Sequence, residues 1–338
     1  MKKWLKIILI IGIASLLLGS VISIGVLIAG GGDWDKFTVD VQNLSCFEQD
    51  ITARDIDTVL IGDNSEDFDI TLTPSPDKDF HLTYYGKNED EVLAEADNGR
   101  LTVSFPQNTA NGGVLNLAYT DREITLAIPA TVENIEVRNG YGNLYAAKLK
   151  LKGDFALYAD GGYVELTEIT ASRVITEIVY GELRLKQLSC TELTGKCEAT
   201  ALKMKDITAS ALSLKCSDGE INAKGITAEE ARWKWENMNG TVSDAAFQTF
   251  TLDNDEGYAT FQGLTIKDTF TLNVDETYIN LDFNCNREDL SVITSCYESD
   301  CNLQPIIGEK GKIKVNITAD ESEINATFSN AQPSAADI

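Results

Sequence analysis

The sequence predicts an all-β protein: a single-stranded parallel β-solenoid (β-helix) with coils of about 19 residues, preceded by one N-terminal transmembrane helix. Three observations support this prediction. Apolar residues recur at a nearly constant spacing through the middle of the chain, residues 131–304 contain no proline, and an uncharged apolar run precedes both features. A repeat of this size cannot bury its apolar face alone, whereas stacked repeats share one continuous core.

The apolar run comprises Ile7–Ala29, 23 residues without a charge. At about 1.5 Å per helical residue it spans roughly 35 Å, enough for a hydrocarbon core of about 30 Å. Lys2, Lys3 and Lys6 precede it, so the positive-inside tendency predicts a six-residue cytoplasmic end, 1–6, with everything after residue 30 outside. A cleaved signal peptide is the alternative, although the run is longer than the usual apolar region and no A-x-A site closes it.

The region between the membrane and the regular repeats is rich in strands but irregular. We expect residues 30–55 to form a linker and a first strand, and residues 56–130 to form wide coils that cap the solenoid. Alternating pairs such as Val59 and Ile61 indicate strands with one buried face. A cap is expected because an uncovered solenoid end is an open sheet edge that invites aggregation.

The regular solenoid is predicted over residues 131–284. Each unit has apolar alternation, a turn containing Gly, Asn or Asp, and further alternation, a pattern typical of strands separated by tight corners. A β-sandwich would also give short strands, but it would not keep one column of side chains every 19 residues. Residues 285–330 are expected to close the other end, followed by a loose tail at 331–338. The column is anchored on Leu144, Val164, Leu183, Leu202, Ile221, Val242, Ala259 and Ile279.

Four segments of the first coils resemble the putative-adhesin family of bacterial β-strand-repeat proteins. The resemblance implies a β-repeat fold and a place in the cell envelope, outside the cytoplasmic membrane. It transfers no catalytic residue, because the matching motifs are structural. Some members accompany envelope-stress systems. The segments are Val59 to Gly62, Ile70 to Ser75, Asn98 to Phe105 and Ile124 to Pro129.

Composition excludes several classes of function. The 53 acidic and 28 basic residues give a net charge of −25, which argues against nucleic-acid binding. His81 is the only histidine, which excludes histidine-cluster zinc sites and most histidine-paired chemistry. No Walker loop, nucleophile elbow or H-E-x-x-H motif is present, so no catalytic residue, metal site or cofactor is predicted.

A basic column is the least expected feature of this acidic chain. Lys186, Lys205 and Lys224 recur every 19 residues, and Arg184 and Lys203 lie on the same predicted outward face. Stacking would set like charges about 5 Å apart, which costs on the order of 1 kcal/mol per neighbour even in water. One interpretation is a stripe that binds an anionic cell-wall polymer. The other is a solvated lysine face whose long stems cover the sheet.

Seven cysteines follow the predicted membrane segment, where oxidation is possible. Cys197 and Cys216 share one register, so they are predicted to form either a disulfide between coils or an inward stack of thiols. Trp233 and Trp235 occupy a core column and are expected to pack inside. Asp244 interrupts its column, and a bulge that turns it outward is the favoured interpretation.

We therefore expect a single-pass protein of the cytoplasmic membrane, with its N-terminus inside and an extracytoplasmic β-solenoid that acts by binding or scaffolding. Its predicted partners are the membrane, through Ile7 to Ala29, and an anionic wall polymer or another envelope protein. The alternatives are a polysaccharide-acting β-helix enzyme and an accessory component of envelope-stress sensing.

Overall fold

The computed structural model describes residues 45–52, 54–62, 68–86, 92–105, 123–305 and 311–329. The predicted membrane segment Ile7–Ala29 and the tail 331–338 lie outside these ranges. Within them, no helix has both the length and the apolar character needed to cross a bilayer. The transmembrane helix therefore stays a prediction.

The chain forms a parallel β-solenoid of about ten turns, which confirms the predicted coil architecture. Leu183 pairs with Leu202, and Leu202 pairs with Ile221, each 19 residues further along the chain. The strands are β1 (Ser45–Ile51), β2 (Thr58–Ile61), β3 (Asp69–Pro74), β4 (Phe80–Gly86), β5 (Leu93–Asp97), β6 (Arg100–Ser104), β7 (Glu123–Ile128), β8 (Asn134–Asn139), β9 (Leu144–Ala147), β10 (Asp154–Ala159), β11 (Tyr163–Thr167), β12 (Thr170–Ile178), β13 (Gly181–Glu198), β14 (Thr200–Ser217), β15 (Glu220–Ser243), β16 (Ala246–Phe283), β17 (Leu290–Tyr297), β18 (Asp300–Cys301), β19 (Ile313–Asp320) and β20 (Glu323–Phe328).

Each regular coil has three sides. Side A contains β9, β11 and the equivalent residues 182–186, 201–205, 220–224, 239–243 and 258–262. Side B contains β10 and the equivalent residues 173–178, 192–198, 211–217, 230–236 and 249–255. Side C is the short stretch between them, represented by residues 188–190, 207–209 and 226–228.

The corners explain why long continuous strands can turn. The residue after side A adopts a left-handed conformation in four successive coils, with φ of 51° at Gln187, 56° at Asp206, 67° at Gly225 and 55° at Asp244. This conformation bends the backbone outward at one point without losing the pairing on either side. Asp244 is exposed, and Ala245 and Phe247 fill the core beside it, which confirms the predicted outward direction, although the residue lies at a regular corner and not at a bulge.

The interior is mainly apolar, because alternate residues of every side point inward and most of them are apolar. It includes an aromatic cluster in which Trp233 and Trp235 are 1% and 0% exposed, so the predicted core packing is confirmed. The two indole rings are stacked with centroids 5.6 Å apart, and Phe250 meets Trp233 edge-on at 5.2 Å. Each buried large side chain stabilises the fold by roughly 1.5–3 kcal/mol.

One predicted anchor is displaced by two residues. Gly240, and not Val242, occupies the anchor column: it pairs with Ala259, whereas Val242 pairs with Phe261. The spacing is therefore 19 on both sides of Gly240, and the irregular intervals around Val242 disappear. The indole of Trp235 fills the volume that the glycine leaves, since a Cβ at Gly240 would lie 2.5 Å from Trp235 Cζ3.

At both ends the order of the coils along the axis differs from their order in the chain. At the C-terminal end β19 pairs with β16 on one edge and with β17 on the other, and β20 likewise lies between β16 and β18. At the N-terminal end β2 lies between β6 and β8, and β3 lies between β7 and β9. A coil is thus intercalated between two others at each end.

Candidate binding surface

Side A carries the five predicted binding residues. Lys186 pairs with Lys205, which pairs with Lys224, and Arg184 pairs with Lys203 in the neighbouring column. All five side chains point outward. The structure therefore brings the predicted group together as two adjacent columns across three coils, and we call the column of Lys186, Lys205 and Lys224 the side-A ladder.

The first lysine of this ladder is neutralised by a carboxylate from the preceding coil. Lys186 Nζ donates a hydrogen bond to Glu165 Oε1 at 2.7 Å, and the Tyr163 hydroxyl donates to Glu165 Oε2. These donors hold the pKa of Glu165 below its ordinary value, Lys186 having the largest effect. Desolvation, followed by the hydrogen bond to Glu165, raises the pKa of Tyr163 to about 12.

A second carboxylate neutralises the adjacent column. Lys203 Nζ donates to Glu182 Oε1 at 2.9 Å, and Arg184 donates to the same oxygen. The pKa of Glu182 is therefore lowered, chiefly by Lys203, and the pKa of Arg184 is raised by Glu182. The Arg184 guanidinium also lies 5.0 Å from the centre of the Tyr163 ring, a cation–π contact.

The centre of the side-A ladder has no such compensation. Within the described residues Lys205 has no carboxylate within 4.0 Å, and its neighbours above and below are Lys186 and Lys224. Lys224 reaches Asp244 only at 3.7 Å, with both side chains mostly exposed. Lys205 therefore stands between two like charges with its ammonium group exposed to solvent.

A second ladder of the same kind lies on side B and was not predicted. Lys196 pairs with Lys215, and Lys215 pairs with Lys234. Lys196 is 3.8 Å from Glu177, while Lys215 and Lys234 have no carboxylate within 4.0 Å in the part of the chain described. The 19-residue spacing of these lysines was visible in the sequence, ten positions after each member of the side-A ladder. We call this column the side-B ladder.

Cys197 and Cys216 are direct register partners on side B. Both are inward-facing free thiols, each 2% exposed. A hydrogen bond that the Cys216 thiol donates to Cys197, together with the loss of solvent, raises the pKa of Cys216 and so disfavours its nucleophilic thiolate. The interior position was expected under both interpretations, and a disulfide between the two remains a prediction that mass spectrometry under non-reducing conditions can test.

The described surface offers little to an acid–base mechanism. An open hollow of about 910 Å³ near the N-terminal end has the exposed carboxylates of Asp55 and Asp57 and the half-buried carboxylate of Asp79 on its wall. A smaller hollow of about 380 Å³ on side C contains Glu229 as its acidic residue. Among the described residues none of the buried polar side chains is a carboxylate. Burial is a usual means of raising the pKa of a carboxylic acid into the range in which it acts as a general acid.

Solved structures of other proteins are similar to this chain. A solved structure from Parabacteroides distasonis ATCC 8503, described as a putative adhesin, is 13% identical, with a TM-score of 0.52 over 84% of this chain and 98% of that one. Another from the same organism, described as a putative lipid binding protein, is 14% identical, with a TM-score of 0.48 over 84% of this chain and 97% of that one. At such identities the first of these supports the fold alone. No curated protein matches the sequence.

The family assignment rests on the sequence itself. A family model described as Toastrack DUF4097 matches residues 61–335, which is most of the chain and includes all the strands from β3 to β20. This match confirms the expected resemblance to a family of adhesin-like β-repeat proteins. The chain belongs to the Toastrack DUF4097 family.

Proposed function

We propose that the protein is a binding or scaffolding component of the bacterial cell envelope, tethered to the cytoplasmic membrane through Ile7–Ala29 with its solenoid outside. The apolar run, the lysines before it and the long polar-faced solenoid after it support this arrangement. The solenoid presents extended sheet faces, and repeat proteins commonly bind partners through such surfaces.

The ligand that we propose is an anionic polymer of the cell wall, bound along the side-A and side-B ladders. The observation that carries this proposal is the stacking of lysines without carboxylate partners at Lys205 and Lys215. Like charges directly opposite each other destabilise a sheet. A chain of net charge −25 has many acidic side chains that could have stood there. A bound polyanion would turn this repulsion into attraction.

The two ladders differ in how much they can offer. On side A, Lys186 and Lys203 already form ion pairs with Glu165 and Glu182. A polymer there would therefore contact mainly Lys205 and Lys224. On side B, Lys215 and Lys234 are open to a ligand as they stand. Both ladders belong to the same three coils, so one basic segment of the solenoid carries the proposed activity.

Retention of the full chain, in mild detergent, on immobilised glycerol-phosphate teichoic acid tests the proposal across a salt series. One variant replaces Lys186, Lys205 and Lys224 by Gln, and a second replaces Lys196, Lys215 and Lys234. The matched control changes three exposed lysines outside the ladders, Lys150, Lys267 and Lys314, by the same substitution.

We expect each ladder variant to elute at lower salt than the wild type and the combined variant to lose retention, because the contacts are exposed and screened by salt. The control should elute with the wild type. If the combined variant were retained like the wild type, or if the control lost as much as the ladders, the proposed polymer binding would be wrong.

A further inference from the structure

Beyond Lys224, side A changes character. In the next two coils its outward positions, within residues 239–243 and 258–262, carry no charged side chain, and charge returns with Asp282 and with Glu323, the register partner of Tyr278. This is unusual in a chain of which 24% is charged. The surface is made of hydroxyl, amide and aromatic groups, and we call it the neutral surface. Its outward residues are Asn239, Thr241, Ser243, Tyr258, Thr260, Gln262, Tyr278 and Asn280.

Two tyrosines lie along one edge of the neutral surface, in its first outward column. The rings of Tyr258 and Tyr278 are stacked, with centroids 5.3 Å apart and planes within 6° of each other. The residues nevertheless remain 41% and 36% exposed. An exposed ring face is attractive to the partially positive hydrogens of a ligand.

Hydrogen bonds fix the two rings in place. Tyr258 Oη accepts from Asn280 Nδ2 at 2.9 Å and from Thr260 Oγ1 at 2.9 Å. Tyr278 Oη accepts from Asn325 Nδ2 at 3.2 Å. Because the rings are held before any ligand arrives, binding to them loses little side-chain entropy. Each tyrosine hydroxyl still has its own proton to donate.

We propose that the neutral surface binds the rings of an uncharged polysaccharide. A sugar ring has a face of C–H groups, which suits a tyrosine ring, and a rim of hydroxyl groups, which need both donors and acceptors. Asn, Gln and Thr side chains provide both. The lack of cations across the surface makes a polyanion a poor occupant, and the amide and hydroxyl groups around the rings make a lipid surface a poor one.

This inference is independent of the lysine ladders. The ladders bind through charge and should release their ligand in high salt, whereas stacking and neutral hydrogen bonds are far less sensitive to salt. The two surfaces share side A, so a wall polymer with both sugar and phosphate could contact both. Failure of either surface would leave the other untouched.

The test measures binding of the full chain, in detergent, to amylose, cellulose and chitin at low and at high salt. The test variant is Tyr258→Ala/Tyr278→Ala. The matched control removes two exposed tyrosines elsewhere, Tyr180→Ala/Tyr297→Ala. Tyr258→Phe/Tyr278→Phe keeps both rings and checks that any loss comes from the rings and not from a disturbed fold.

We expect the wild type to bind at least one of these polymers at both salt concentrations. The alanine variant should bind roughly tenfold or more weakly, as expected for two aromatic contacts. The control, the phenylalanine variant and the combined lysine variant should retain most of the binding. Absence of wild-type binding to all three polymers, or an equal loss in the control, would overturn the proposal.

Discussion

Single residues of the core compensate one another in size. The column that holds Leu183, Leu202 and Ile221 continues with Gly240, and the indole of Trp235 occupies the space that a larger side chain would need. The indole N–H groups of Trp233 and Trp235 are buried without an acceptor, which costs about 1–3 kcal/mol each. The two unpaired N–H groups therefore lower the stability of the fold, while the indole rings fill the interior.

This complementarity predicts that Gly240→Ala destabilises the protein by about 1–3 kcal/mol, because the new methyl group overlaps the fully buried indole. Trp235→Phe in the same chain should recover part of that loss, because the smaller ring leaves room and removes an unpaired N–H. Urea unfolding of the two single variants and the double variant gives the coupling. Additive effects would show that the two residues do not share this space.

The only histidine connects β1 to the N-terminal cap. His81 Nδ1 lies 2.7 Å from Asp50 Oδ1, and its Nε2 lies 3.0 Å from Asp77 Oδ1. These hydrogen bonds, Asp50 first, raise the pKa of His81. The backbone N–H of Asp79 and then His81 lower the pKa of Asp77. The charged imidazole thus links two carboxylates from different segments.

A raised pKa in the folded state means that charged His81 stabilises the fold fully below the unfolded value of about 6.5. That contribution is lost as the pH rises through the higher folded value. Hydrogen exchange, corrected for its intrinsic pH dependence, should show β1 less protected as the pH rises above about 6.5. His81→Gln should remove this change. Protection that increased with pH, or a change that survived in His81→Gln, would contradict the role given to the histidine.

Within the strands, the lysine ladders include a position that is expected to lower the stability of the sheet and that we propose to bind a ligand. Lys203 has Glu182 beside it, whereas Lys205 has only lysines above and below. Repulsion between stacked charges is expected to be on the order of 1 kcal/mol per neighbour in water. A ladder kept for structural reasons alone should not include such a position.

We predict that Lys205→Gln raises the free energy of unfolding by up to about 1 kcal/mol at low salt, with a smaller gain at high salt. Lys203→Gln is the matched control and should give no gain, because it removes a favourable pair with Glu182. Urea unfolding at two ionic strengths measures both. A loss of stability in Lys205→Gln would show that the ladder supports the sheet and has no need of a ligand.

The periodicity of the sequence was sufficient to predict the coils and the outward direction of the side-A lysines. It was sufficient because the 19-residue repeat gives each residue its place in a coil, and the period-two alternation tells whether its side chain points inward or outward. It misplaced the anchor at Val242, because a glycine gives no apolar signal and the space it leaves is filled by Trp235 from another column. The side-B ladder was not predicted, because its lysines stand six residues before the anchors, at outward positions that the apolar pattern does not mark.

The whole solenoid is closed by intercalated coils that no local pattern predicts. Val315 lies between Phe270 of β16 and Val292 of β17, although Val292 precedes it in the chain. Such pairings join strands whose spacing differs from the repeat, so periodicity cannot show them. The outermost coil at this end is held through β19 and not directly by β16.

This arrangement predicts that Val315→Ala loosens two coils together. The substitution removes buried methyl groups and should cost on the order of 2 kcal/mol. Hydrogen exchange should show faster exchange in both β17 and β19, with residues 183–221 unchanged. Val292→Ala, the control, should loosen β17 while β19 stays paired with β16. Exchange confined to β19 in the first variant would contradict the intercalated order.

The most direct test of the proposed function is the salt dependence of affinity for glycerol-phosphate teichoic acid. Each phosphate contact to a polyanion contributes roughly 0.7–0.9 to the slope of log affinity against log salt. We predict a clear negative slope for the wild type, a shallower one for either ladder variant, and the shallowest for the variant lacking both ladders. A slope that stayed the same in all of them would show that stacked lysines are not where the polymer binds.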